Sequence, residues 1–189
     1  MLPQHYQTIH AFFDYTEMPP ALRMLNTMIH AADADKIWQG RSPADLLYFT
    51  EKLNELIEAS FSLTGWYDFQ PAAIIEPNKK TDPWSLSNTK LYCGQQRRYS
   101  PWDYFPRTLS KKEFLNPYLA LEKFTAFKTR EQWKETIHNF LLHALSPRSI
   151  DEFDDGTGIL RCSKQLNKLI EASHLIHLRT QPKNKPKDE

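Results

Sequence analysis

The chain contains the same octapeptide pattern twice, at a spacing of 113 residues. Residues 53–60 read LNELIEAS and residues 166–173 read LNKLIEAS, so that only one position differs. The same spacing relates NTMIHA at 26–31 to NFLLHA at 139–144. Convergent amphipathic patterning explains the shared leucines and isoleucines, but it does not explain the shared Asn, His, Glu and Ser positions. We therefore interpret the chain as one helical unit used twice.

Each copy of this unit is predicted to contain three helices, because apolar residues recur at helical spacing and good helix starts precede them. Ser42-Pro43 offers an N-cap followed by proline, and 110–113 and 129–132 have the form of capping boxes. We expect an all-α fold in which the two copies pack with pseudo-two-fold symmetry into one compact domain. The predicted divisions are copy 1 at 1–63, an irregular insert at 64–112, copy 2 at 113–178 and a disordered polar tail at 179–189.

The insert differs in composition from the two copies. It holds five of the 13 prolines and many aromatic residues, and the helical periodicity stops there. Two stretches, 72–75 and 90–93, have the composition of short strands and leave room for a β-hairpin. Because a connection this long inside a compact domain is often functional, we regard the insert as a candidate binding surface.

The charge of the insert points to two kinds of partner. It has eight basic and four acidic residues, whereas the net charge of the whole chain is +1. Basic groups beside aromatic rings suit single-stranded nucleic acid, and arginine and tryptophan also suit a protein interface. The favoured alternative is that the aromatic rings fold back over the helical core. The candidate binding residues are Lys79, Lys80, Arg97, Arg98, Trp84, Trp102 and Tyr104.

The repeated polar residues form a second candidate site. In a helical hairpin, His30 and Glu58 of one copy would lie about 20 Å apart at 1.5 Å per residue, so acid–base pairing is excluded within a copy. Pairing across the copies would bring His30 to Glu171 and His143 to Glu58. These four residues are the weak catalytic candidates. The favoured alternative is a hydrogen-bonded structural role, which we also predict for Asn26, Asn139, Asn54 and Asn167.

Several other classes of function have no support in the sequence. Cys93 and Cys162 are far apart and form no CxxC pair, which argues against a disulfide framework and a cysteine zinc site. His174 and His177 have chelating spacing, but no further ligand accompanies them, so we predict no metal and no cofactor. The start of the chain does not resemble a signal peptide, and no apolar stretch is long enough for a membrane span, so we expect a cytoplasmic protein.

The functional expectation is a non-enzymatic binding or scaffold protein, with another protein as its partner. One alternative is a nucleic-acid-associated protein that uses the insert. The other is an enzyme with a His/Glu site between the two copies.

Overall fold

Seven α-helices and two short 3-10 helices make up the fold in the computed structural model, which describes residues 3–34, 36–40, 42–64, 73–76, 84–94, 98–148, 150 and 157–181. The prediction of a mainly α-helical chain is confirmed for these residues. The helices are α1 (Gln4–Tyr15), α2 (Met18–Asp33), α3 (Pro43–Thr64), α4 (Lys111–Leu115), α5 (Tyr118–Phe127), α6 (Arg130–Ala144) and α7 (Thr157–Thr180).

Local sequence signals set several helix boundaries. Both predicted capping boxes are present: Ser110 with Glu113 begins α4, and Thr129 with Gln132 begins α6. Ser42 accepts a hydrogen bond from the main-chain N–H of Ala44 at the start of α3. The last helix, α7, continues through Thr180, two residues beyond the predicted end of copy 2 at residue 178. Residues 182–189 lie outside the described residues.

The helices pack in a regular set of pairs. α1 lies against α3, and α5 lies against α7. α2 packs against α7, and α6 packs against α3. α1 also contacts α7, α5 also contacts α3, and α2 and α6 lie against each other. Most of the helix packing therefore joins residues before the insert to residues after it.

One hydrophobic core runs through all of these contacts. Its largest fully buried side chains include Tyr6, Phe12, Phe49, Phe114, Phe124, Trp133 and Phe140. Trp133 stacks on Phe124 with ring centroids 4.4 Å apart, and its indole N–H donates to the Phe124 carbonyl. The buried hydroxyls of Tyr6 and Tyr118 are hydrogen bonded to each other at 2.7 Å. Both tyrosines thus satisfy their polar ends inside the core.

The insert contains no strand among its described residues. Thr89–Leu91 and Pro101–Tyr104 form 3-10 helices, so the strand predicted at 90–93 is wrong. Residues 73–76 are a turn and irregular chain, and residues 72 and 77–83 of the predicted hairpin region lie outside the described residues. Ile75 donates its N–H to the Leu115 carbonyl rather than to a strand partner. Side chains from the insert then contribute to the core, because Tyr92 and Tyr104 are buried.

Candidate functional site

Two of the four repeated asparagines form a reciprocal amide pair between α2 and α7. Nδ2 of Asn26 donates to Oδ1 of Asn167 at 3.1 Å, and Nδ2 of Asn167 donates back to Oδ1 of Asn26 at 3.0 Å. Asn139 is half-buried, and Oδ1 of Asn54 is buried without a hydrogen-bond partner. The pair connects two helices through groups that have no acid–base chemistry.

The four weak catalytic candidates have separate surroundings. His30 is exposed, and Nδ1 of His143 lies 3.1 Å from the Arg148 carbonyl. Glu58 forms ion pairs with Lys134 at 2.7 Å and Arg130 at 3.4 Å. An enzymatic site built from His30, His143, Glu58 and Glu171 therefore stays a prediction, without a supporting contact in the described part of the chain.

Glu171 is instead buried beneath the end of the insert. Its carboxylate accepts hydrogen bonds from the main-chain N–H groups of Arg107, Thr108 and Leu109 at 2.9, 2.9 and 3.2 Å, and from the Thr108 hydroxyl at 2.7 Å. Burial raises the pKa of Glu171, although these hydrogen bonds act in the opposite direction. The carboxylate thus fixes three consecutive peptide groups on the surface of α7.

Glu113 attaches the end of the insert to the helices at a second point. Its buried carboxylate accepts from Lys123 at 2.8 Å and from Lys168 at 2.7 and 2.8 Å. Burial alone would raise the pKa of Glu113, but the two lysines and Ser110 outweigh it and lower that pKa to about 2. Residues 107–113 therefore cover the groove between α5 and α7, and we call them the covering segment.

The groove between α1 and α3 is open. It encloses about 360 Å³. The residues that line it are Gln4, His5 and Thr8 of α1 together with Glu55, Glu58, Ala59 and Ser62 of α3. Half-exposed carboxylates and small side chains give this groove a polar, accessible floor.

The insert residues selected from the sequence divide into three groups. Lys79, Lys80 and Arg97 lie outside the described residues. Trp84 packs edge-on against Phe105 and Phe114, and Tyr104 is buried with its hydroxyl on the Glu17 carboxylate. Arg98 and Trp102 are exposed: Arg98 lies 3.6 Å from Glu17, and the Trp102 ring stacks beneath the Arg107 guanidinium.

Arg179 near the end of α7 anchors the middle of the insert. Its guanidinium donates to the carbonyls of Ala73 at 3.1 Å, Phe114 at 2.8 Å and Leu91 at 3.4 Å. Burial lowers the pKa of Arg179 to about 10. No sequence pattern indicates this role, because the carbonyls that Arg179 binds belong to segments remote from it along the chain.

A histidine cluster joins α1 to α7, and sequence reasoning recognised only two of its members. Nδ1 of His10 and Nδ1 of His177 are 2.8 Å apart, and Nε2 of His177 lies 2.8 Å from the side-chain amide of Gln181. His174 is fully buried beside Phe13, with Nε2 placed 3.1 Å from the Tyr92 carbonyl. Desolvation lowers the pKa of His174 to about 4 and that of His177 to about 3. His10 could have been linked to this site, since it lies one helical turn before the buried Phe13.

The described residues contain no group of three or more His, Cys, Asp or Glu side chains placed to hold a metal ion. Within the same residues, no helix combines the length and apolar character that a bilayer crossing requires.

Comparisons of this chain with protein families, with curated proteins and with solved structures find no match.

Proposed function

We propose that this chain is a non-enzymatic binding protein, built from a duplicated three-helix unit, that receives a segment of a partner protein in the groove between α1 and α3. The observation that supports this function is the contrast between the two grooves. The chain fills the groove between α5 and α7 with its own covering segment, whereas the groove between α1 and α3 is open.

The helix contacts support the duplication. Exchanging α1, α2 and α3 for α5, α6 and α7 turns each of their more extensive packed pairs into another such pair, and it leaves the α2–α6 pair unchanged. Only the small α2–α3 contact has no counterpart among the packed pairs of the described helices. Tyr6 and Tyr118 occupy equivalent positions in α1 and α5, and their hydroxyls meet each other. Two equivalent residues in mutual contact are expected close to a two-fold axis.

The duplication places corresponding positions in the two grooves, and one of these positions differs in charge. Glu55 and Glu58 in α3 correspond to Lys168 and Glu171 in α7, which are the residues that hold the covering segment. Ala59 corresponds to Ala172, so both grooves have a small side chain beside the glutamate. The α1–α3 groove is thus lined by residues at the positions that hold the covering segment in the other groove, but it is open.

The covering segment also indicates what the open groove would accept. Its three consecutive main-chain N–H groups converge on one carboxylate, an arrangement that any sequence can supply. Glu58 is 37% exposed and already has Arg130 and Lys134 as partners, but a carboxylate can accept about four hydrogen bonds. A short extended segment followed by a helical turn is therefore the expected ligand, bound through its main chain.

A displayed library of random peptides, selected on the full-length chain, tests this proposal. We expect enriched peptides to lose binding to the Ser62→Arg variant, because a long side chain at exposed position 62 obstructs the groove. The matched control is Thr27→Arg, which adds the same side chain to an exposed position of α2 outside the groove. Failure to enrich any peptide, or equal binding to both variants, would contradict the proposal.

Single-stranded nucleic acid is the second candidate ligand, because Trp102 is 54% exposed and has the Arg107 guanidinium over its ring. Such a platform suits base stacking next to a phosphate contact. We expect binding of an oligonucleotide that weakens with salt and that is lost in Trp102→Ala. Absence of binding at low salt would eliminate this candidate.

A further inference from the structure

Two exposed apolar patches occupy equivalent positions in the two halves of the molecule. In α3, Leu47 and Tyr48 are each 46% exposed, and Tyr48 meets Tyr15 of α1 edge-on at 4.9 Å. In α7, Leu160 is 72% exposed, and Phe127 at the end of the neighbouring α5 is 38% exposed. Leu47 corresponds to Leu160 at the spacing of 113 residues, and Tyr15 of α1 corresponds to Phe127 of α5 at the spacing of 112 residues that also relates Tyr6 to Tyr118. Large apolar side chains in such clusters commonly mark an interaction surface.

The first patch is bordered by acidic side chains. Asp14 at the end of α1, Asp45 in the first turn of α3 and Glu51 one turn after Leu47 are all exposed. Among the described residues, Lys52 has its ammonium 5.5 Å from the Tyr48 ring centroid, but Glu55 pairs with its charge at 2.8 Å. We call the set Tyr15, Leu47, Tyr48, Asp14, Asp45 and Glu51 the acidic patch.

In the part of the chain that the structure describes, the second patch is bordered by basic side chains. Arg161 and Lys164 follow Leu160 at the spacing with which Tyr48 and Glu51 follow Leu47. Both are exposed and form no ion pair with another described residue. Lys128 follows Phe127 and has its ammonium 6.0 Å from the Trp133 ring centroid. We call the set Phe127, Leu160, Lys128, Arg161 and Lys164 the basic patch.

We propose that the acidic patch of one molecule docks on the basic patch of a second copy of this chain. Each patch has an apolar centre beside charges that are opposite in sign to those of the other patch. The strongest contrast lies at equivalent positions, where Glu51 of α3 is replaced by Lys164 of α7. Complementary charges favour contact between unlike patches and oppose contact between like ones.

This mode of docking has a consequence for assembly. An acidic patch meeting a basic patch is a heterologous contact, so the first contact between two molecules leaves one patch of each kind free. We expect a series of oligomers, or a closed ring, rather than a simple two-fold dimer. The association should weaken at high salt, because the charges at the patch borders are exposed.

Sedimentation of the full-length chain over a range of concentrations tests the proposal. We expect the average mass to increase with concentration at low salt, and Leu160→Glu to raise the dissociation constant by about tenfold or more. Leu142→Glu is the matched control, because Leu142 is 51% exposed on α6 and belongs to neither patch. A chain that stays monomeric at low salt, or equal effects of the two substitutions, would overturn the proposal.

Exchanging the two opposite charges distinguishes a specific contact from nonspecific association. Glu51→Lys and Lys164→Glu should each weaken association, because each places like charges opposite one another. The variant with both substitutions should recover association, since opposite charges face each other again. Failure of the double variant to recover, while both single variants are weakened, would contradict the assigned pairing of patches.

Discussion

Three histidines lie where burial disfavours their protonated form, so the stability of the fold depends on pH. His174 and His177 are buried on α7, and His10 on α1 shares a hydrogen bond with His177. Desolvation lowers the pKa of all three, with the neighbouring histidines adding to the effect at His177. A histidine kept neutral by the fold binds fewer protons than it does in the unfolded chain, so stability falls as the pH drops below about 6.5.

We expect the free energy of unfolding to decrease between pH 7.5 and pH 5, with each of His174 and His177 contributing about 2 kcal/mol. His177→Gln should remove one such contribution and flatten the pH dependence by about that amount. Because the pKa of Glu171 is raised, this residue contributes more to the free energy of unfolding as the pH falls. This contribution is the same in the variant and in the original chain, so it cancels when the two are compared. Urea unfolding at both pH values measures the difference.

The control for this substitution is His138→Gln, because His138 is exposed on α6. It should leave the pH dependence unchanged. If His177→Gln and the original chain lose the same free energy between the two pH values, the histidine cluster does not have the assigned effect.

Among the helices, α7 differs from α3 in the number of polar side chains that it buries. Glu171, Ser173, His174 and His177 are all buried, and Arg179 reaches the carbonyls of the insert from the end of the helix. The apolar periodicity predicted where α7 lies, because that pattern is local. The hydrogen-bond partners of Glu171 and His174 could not be predicted, because they are residues 107–109 and Tyr92, which are more than sixty residues away along the chain. The same reason explains the wrong strand at 90–93, where burial of Tyr92 came from packing against α7 and not from a sheet.

A matched pair of substitutions tests the different roles of the two glutamates in the repeated octapeptide, Glu58 and Glu171. Glu171→Ala should cost about 3 kcal/mol of unfolding free energy, because it leaves several N–H groups of the insert without an acceptor. Glu58→Ala should cost under about 1 kcal/mol, since its ion pairs with Arg130 and Lys134 are partly exposed. Urea unfolding gives both values.

Hydrogen exchange gives a second measurement of the same pair. The amides of Arg107, Thr108 and Leu109 should exchange faster in Glu171→Ala and at the original rate in Glu58→Ala. Equal costs and unchanged exchange would mean that the covering segment does not depend on the Glu171 carboxylate.

At the scale of the whole molecule, the packing crosses from one half to the other. α2 lies against α6 and α7, and α3 lies against α5 and α6, whereas the main contact within the first half is between α1 and α3. The repeated octapeptide predicted three helices on each side of an insert, but sequence periodicity cannot specify which helices meet. The pairing of helices follows from the need to bury the apolar stripe of every helix. Neither half buries its own stripes, so the helices of one half pack against those of the other.

This packing predicts how separated halves behave. A fragment of residues 1–64 should show weak helicity and no cooperative unfolding, because the surfaces that α5, α6 and α7 cover would be exposed to water. A fragment of residues 65–189 should retain its own covering segment and yet lack the partners of α6 and α7. Mixing the two fragments in equal amounts should restore the helical signal and a cooperative transition, as followed by circular dichroism. Cooperative unfolding of the first fragment by itself would show that three helices suffice, and the two halves would then be separate domains and not one fold.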